Sequence, residues 1–234
     1  GASAVPVITS AFTLKDHKKV RRRIGMAIRF EMIVAFPCTA GFMVLASPIQ
    51  QLLFSDATKL AAGMLIAGSV SVIFYSISTL SNATLQAIDR MRIPVQNAVI
   101  SLVIQAGALI LCMFAFHLGI YSVIAANIVF SFVMCILNGR AVQRYSGFRP
   151  DVMKTFIKPG IASVIMGVCV FGIYRGLLLA TGHNSIAVII GILAGMIIYF
   201  AALLLIRGIT AEEMVEFPKG TVLLRIARKL HLMR

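Results

Sequence analysis

Six apolar runs, each close to the ~20 residues needed to cross a ~30 Å hydrocarbon core, limit what this chain can become. They cover residues 28–54, 60–85, 95–116, 119–137, 159–179 and 185–206. A backbone inside a bilayer must satisfy its own N–H and C=O groups, so only helices and closed barrels can span it. The runs do not alternate apolar with polar residues at period two, which argues against barrel strands. The sequence therefore predicts an all-α, polytopic transmembrane helix bundle of about six spans. Composition points the same way. Of the 234 residues 59% are hydrophobic and 13% charged, against about 45–50% and about 25% in soluble domains.

The charges set an orientation. Of the 22 basic residues only Lys59 and Arg175 lie outside four segments. Those segments are the stretch before the first span, the second-to-third loop with Arg90 and Arg92, the fourth-to-fifth loop, and the tail after the sixth span. With six spans all four fall on one side, and the positive-inside rule puts both ends of the chain in the cytoplasm of a plasma-membrane protein. The division that follows is a cytoplasmic loop with a basic juxtamembrane helix (1–27), four spans (28–138), a basic loop (139–158), two further spans (159–206) and a basic tail (207–234). The net charge of +14 then suits the anionic inner leaflet of a bilayer. No nucleic-acid partner is expected, since the chain lacks Trp and its other aromatics are scattered. Two segments read as amphipathic helices on the membrane surface. In one, Val20, Ile24 and Ile28 recur among basic residues. In the other, Leu223, Ile226, Ala227 and Leu230 share a face, beyond a capping box at Thr210–Glu213.

Polar residues within spans fall in rows. At about 100° per residue, Ser71, Tyr75, Ser78, Asn82 and Gln86 share one stripe of the second span. Asn97, Ser101 and Gln105 do so on the third, and Asn127, Ser131 and Asn138 on the fourth. Two uses are open: hydrogen bonds that hold helices together, or the lining of a path for a polar substrate. Asn82, Gln86, Asn97, Gln105 and Asn127 are the path candidates, while single Ser residues read as structural. The fifth and sixth spans are nearly free of mid-span polarity. Gly191 and Gly195 give the sixth a small-residue packing face, and these two spans read as peripheral to a four-helix core. Pro37, inside the first span, removes a backbone donor and marks a kink or hinge. Glu31 is the one carboxylate near a span. It could couple ion movement to transport, or pair with nearby Arg29 at the interface.

Enzyme chemistry finds no support. His17, His117, His183 and His231 lie in loops or tails, and no His, Cys, Asp and Glu cluster has ligand spacing. No metal or cofactor is expected. Cys38, Cys112, Cys135 and Cys169 fall in apolar runs and read as reduced interior residues. The opening Gly1-Ala2-Ser3 has no basic region leading into an apolar stretch, so it is no signal peptide; it reads as the continuation of a longer protein.

Several stretches carry a family likeness. They are Val5-Pro6-Val7-Ile8-Thr9-Ser10-Ala11-Phe12 with the basic run to Arg23, Phe36-Pro37, Ala46-Ser47-Pro48-Ile49, and Leu80-Ser81-Asn82-Ala83-Thr84-Leu85-Gln86-Ala87 followed by Arg92-Ile93-Pro94. Phe217-Pro218-Lys219-Gly220 in the tail joins them. Together they resemble polysaccharide and lipid-linked oligosaccharide flippases, in particular the stage V sporulation protein B group of the multidrug/oligosaccharidyl-lipid/polysaccharide exporter superfamily. Ala87 departs from the Gly usual there. The resemblance implies a protein of two six-helix lobes, often with two extra helices, of which this chain is the C-terminal part without its N-terminal lobe. It implies a lipid-linked sugar as substrate, such as a peptidoglycan precursor, moved by alternating access. In related lipid II flippases the basic residues that hold pyrophosphate lie largely in the first lobe, so none is carried onto this chain. An ion-coupled drug or small-solute exporter of the same superfamily, and a non-transport scaffold in cell-wall assembly, are the alternatives.

Overall fold

A computed structural model describes residues 5–14, 16–54 and 58–209. Among these, eight α-helices and one π-helical turn account for the regular structure, with no strand. The helices are α1 (Val5–Thr13), α2 (His17–Val44), α3 (Ala46–Phe54), α4 (Lys59–Ala87), α5 (Arg92–Phe114), α6 (Tyr121–Ser146), α7 (Lys158–Thr181) and α8 (Asn184–Leu205), and the π turn at Met153–Ile157 leads into α7. Six of them, α2 and α4 to α8, are long and apolar enough to cross a membrane.

Local chemistry sets the helix ends. The Asp16 side chain accepts the Lys19 N–H at 3.0 Å and caps α2, and Thr58 caps α4 by accepting from Ala61 at 3.3 Å. Such caps satisfy orphan first-turn donors. Gly147 and Gly182 close α6 and α7 at φ +67°, a left-handed conformation open to a residue without Cβ.

The first apolar run is not one helix. It breaks at Leu45, whose N–H bonds Gly41 O at 2.9 Å. Continuing α2 would drive the Pro48 ring into the Val44 carbonyl. The chain therefore restarts as α3, with Pro48 in its first turn, where a missing N–H is harmless. Pro37 leaves α2 continuous.

The basic stretch before the first span also differs from expectation. Residues 17–27 run without interruption into the span as part of α2. Val20, Ile24 and Ile28 are buried against Ile8, Leu80, Leu85 and Val142. The apolar stripe that suggests a membrane-surface helix is thus a core face covered by α1, α4 and α6. The tail stretch read as a second surface helix lies outside the described residues.

In space the spans follow the order α5, α6, α4, α2, α7, α8, each packed on the next. Helix α2 joins two groups: α4 to α6 on one flank, α7 and α8 on the other. Among the described residues, the basic segments gather at one end of the bundle. Arg21 lies beside Gly147, Phe148 sits against Gly25, and Lys158 Nζ donates to the Arg207 carbonyl at 2.8 Å.

The α7–α8 seam depends on missing Cβ atoms. A Cβ at Gly195 would lie 2.8 Å from Val170 Cγ2, whereas one at Gly191 would meet Val170 at 3.9 Å. Val170 is β-branched and has little rotamer freedom in a helix. Gly195→Ala is expected to lower stability by about 1–3 kcal/mol, the range for overpacking, and Gly191→Ala by less than about 0.5 kcal/mol. Unfolding of the two variants in detergent checks this; equal effects would mean the helices are packed differently.

Candidate functional site

The polar rows of α4, α5 and α6 meet at Asn138. This side chain is fully buried, and its amide nitrogen donates to Asn82 Oδ1 on α4 at 2.6 Å and lies 3.5 Å from Ser78 Oγ. Its carbonyl oxygen accepts from Asn97 Nδ2 on α5 at 2.8 Å. One residue of α6 thereby ties three helices together. Further along, Tyr75 Oη donates to Asn127 Oδ1 at 3.0 Å. The serines bond backward within their own helices: Ser71 to Gly68 O at 2.6 Å, Ser101 to Asn97 O at 2.7 Å and Ser131 to Asn127 O at 3.1 Å. This local bonding is the habit of Ser inside helices.

The five path candidates therefore separate. Asn82 and Asn97 are half-buried and joined through Asn138. Asn127 keeps an exposed flank while holding Tyr75. Gln86 is exposed, and Gln105 is half-buried on α5. The interhelical bonds give Asn82 and Asn97 a structural use whatever else they contact.

A different site lies on the other flank of α2. A cleft of about 480 Å³ opens between α2, α3, α7 and α8. Val34, Cys38, Gly41 and Phe42 line it from α2, Met166 and Val170 from α7, and Ile192, Met196 and Phe200 from α8. Its walls are almost wholly apolar. The one hydroxyl there, Tyr199 Oη, is engaged: it donates to the Ile33 carbonyl at 2.8 Å. Ile33 stands four residues before Pro37, so its carbonyl is the one that the missing proline N–H leaves without a helical partner. A donor from α8 replaces it, and the proline turn of α2 is tied to the wall of the cleft. At the far end, Asn184 Nδ2 donates to Pro48 O at 3.0 Å and Asn184 Oδ1 accepts from Tyr174 Oη at 3.0 Å, fastening α8 to α3.

Glu31 is half-buried on α2 and in no salt bridge among the described residues. The pairing with Arg29 suggested by sequence does not form, because residues two apart on a helix point to opposite faces. Arg29 is buried instead, and its guanidinium donates to the Gly208 carbonyl beyond α8. Sequence reasoning left Tyr199 and Asn184 unassigned and gave Arg29 only to Glu31. For Tyr199 a signal existed: a proline within a span demands a donor for the carbonyl four residues earlier. The other two contacts join residues more than a hundred positions apart and leave no local trace. Among the described residues no three His, Cys, Asp or Glu side chains converge as a metal site would require.

Two comparisons place the chain among known proteins. Residues 2–190 match the family model described as "Lipid II flippase MurJ". The chain is 25% identical over 186 residues to the lipid II flippase MurJ of Bacillus subtilis (strain 168), covering 73% of this chain and 32% of that relative. The chain thus spans about a third of the length of the curated relative it matches.

Two substitutions test the bonds just described. Asn138→Ala removes both partners of the three-helix junction and is expected to lower stability by about 1–3 kcal/mol. Tyr199→Phe leaves the Ile33 carbonyl unpaired and is expected to lower it by about 1 kcal/mol. Unfolding in mixed detergent reads both, and a neutral Asn138→Ala would show that the junction does not hold the bundle.

Proposed function

Because this chain belongs to the MurJ lipid II flippase family, we propose that it is the C-terminal part of a flippase. The complete protein would carry a lipid-linked peptidoglycan precursor across the cytoplasmic membrane by alternating access. The single observation that carries this reading beyond family membership is the apolar cleft. An exporter of water-soluble solutes needs a polar path, whereas a lipid-linked sugar brings a long hydrocarbon chain that needs an apolar groove while its head crosses elsewhere. The cleft between α2, α3, α7 and α8 has the lining such a chain requires.

In this reading residues 28–138 supply four helices of a second lobe and 159–206 two additional ones. An N-terminal lobe of the same protein completes the path. The basic end of the bundle faces the cytoplasm and its anionic leaflet, with both ends of this chain on that side. Asn127, Gln86 and Gln105 keep surface that could meet the polar head. The motifs at 5–12 and 80–87 support a branch akin to the stage V sporulation protein B group. Tyr199 ties the proline turn of α2 to the cleft wall, so occupancy of the cleft and any bending of α2 at Pro37 would be mechanically linked.

A second reading has one observation in its favour. Glu31 lies half-buried in a span with no ion pair among the described residues, and a carboxylate so placed could bind a proton or sodium ion during transport. It is compatible with either a flippase or a small-solute exporter.

One test addresses each observation. A Cβ at Gly41 would meet nothing within 4 Å, so Gly41→Phe fills the cleft without disturbing the helices. In liposomes containing the full-length protein, this variant is expected to move a fluorescent lipid-linked sugar at least about ten-fold more slowly. Wild-type flux would remove the cleft from the path. Glu31→Gln is expected to flatten the pH dependence of flux if Glu31 couples ions; an unchanged profile would dismiss it as the coupling site.

A further inference from the structure

At the basic end of the bundle a second cavity, of about 570 Å³, lies between the α4–α5 turn and the end of α6. Asp89, Arg90, Arg92, Gln96 and Tyr145 are among its walls. We propose that it is a phosphate-binding site that takes the phosphoryl headgroup of a membrane lipid, an assignment separate from the apolar cleft and from the polar rows of α4 to α6.

Four observations converge on it. First, the turn is built rigidly. Asp89 adopts φ +60°, its N–H bonds Gln86 O at 3.1 Å, and the Arg90 N–H bonds Leu85 O at 2.8 Å. These are the paired bonds of a Schellman ending, and they fix where Arg90 leaves the backbone. Second, the Arg90 guanidinium lies over the Tyr145 ring, 4.9 Å from its centroid. Stacking of this kind orients the planar group and leaves its N–H edge for a ligand. Third, neither Arg90 nor Arg92 is in a salt bridge among the described residues, although Asp89 shares the cavity. Two guanidiniums against one carboxylate leave one positive charge uncompensated, and Arg144 adds another at 5.9 Å from the same ring. Fourth, α5 begins at Arg92 with no side chain capping it, so the positive end of its dipole borders the same space. Guanidiniums bind phosphate oxygens in pairs, which makes a phosphate ester the chemistry this arrangement suits.

The site lies where α4 ends and α5 begins, at the ends of two helices long and apolar enough to cross a membrane. The phosphate could belong to a bulk anionic phospholipid or to the diphosphate of a lipid-linked sugar. The proposal rests on this end of the bundle lying at the bilayer surface, and does not require the chain to transport.

The test uses purified full-length protein in neutral detergent and three probes: inorganic phosphate, dihexanoyl phosphatidylglycerol and farnesyl diphosphate. Saturable binding of at least one probe is expected. Arg90→Gln with Arg92→Gln should weaken it at least ten-fold. Tyr145→Leu, which changes no charge, should weaken it several-fold by releasing Arg90. Arg149→Gln with Lys154→Gln, at the same end of the bundle, should change it less than two-fold. Preference among the probes identifies the source of the phosphate. Absence of saturable binding, or equal losses in the control pair, would overturn the site and leave only diffuse charge. If the double variant fails to fold, Tyr145→Leu alone decides. Lipid flux measured on the unsubstituted protein keeps the two readings apart: flux without saturable binding condemns the phosphate site, and saturable binding without flux condemns the flippase assignment.

Discussion

Between the spans of a membrane protein there is no bulk water to bond a stranded polar group, and the arrangement of these helices follows from where such groups find partners. Pro37 shows the constraint most directly. Its missing N–H leaves the Ile33 carbonyl open, and the hydroxyl of Tyr199 on α8 closes it at 2.8 Å. That contact brings α8 against α2 at the level of the proline and fixes one wall of the apolar cleft. Asn138 answers the same requirement on the opposite flank, where one buried amide satisfies and is satisfied by α4 and α5. Apolar side chains supply most of the contact area in both places. They have no preferred partner in a hydrocarbon medium, so the polar bonds and the small residues set which faces meet.

Helix α2 is the element on which both flanks depend. Its first turns are buried by α1, α4 and α6, and its second half borders the cleft with α7 and α8. A bend at Pro37 would therefore move the cleft relative to the three-helix group. This is the geometry a transporter needs if lipid in the cleft is to influence the path of a polar head. The carbonyls beyond α8 are held from two sides, Arg207 by Lys158 and Gly208 by Arg29, so the exit of the last span is anchored to both α7 and α2.

The basic end of the bundle combines three roles that sequence alone merges into one count of charges. Arg29 is buried and structural. Lys158 secures a helix end. Arg90 and Arg92 stand in a cavity beside Tyr145, without salt bridges among the described residues. The distribution of basic residues along the sequence gives an expected orientation, but the use of each cation depends on what the fold places beside it.

How much could be read before folding follows from the range of each interaction. The number of spans, their helical character and the gathering of basic residues at one end are properties of contiguous sequence, because hydropathy over about 20 residues determines insertion. The small-residue face of α8 and the proline in α2 were also legible, each being a local departure from an apolar run. The family likeness pointed to flippases of lipid-linked sugars, and the family model that matches is that of a lipid II flippase. What the sequence left open was the meaning of each polar row. Asn82 and Asn97 carried no sign in sequence that Asn138 would bond both, and Glu31 beside Arg29 looked like a pair until the helix turned them apart. The stripe Val20, Ile24 and Ile28 has the same period facing lipid or facing a core; α1, α4 and α6 made it a core. Sequence by itself determined that the chain spans a bilayer and which end carries its charge. Only the tertiary structure decided which polar groups bond across helices, because a hydrogen bond between helices depends on neighbours that no local pattern encodes.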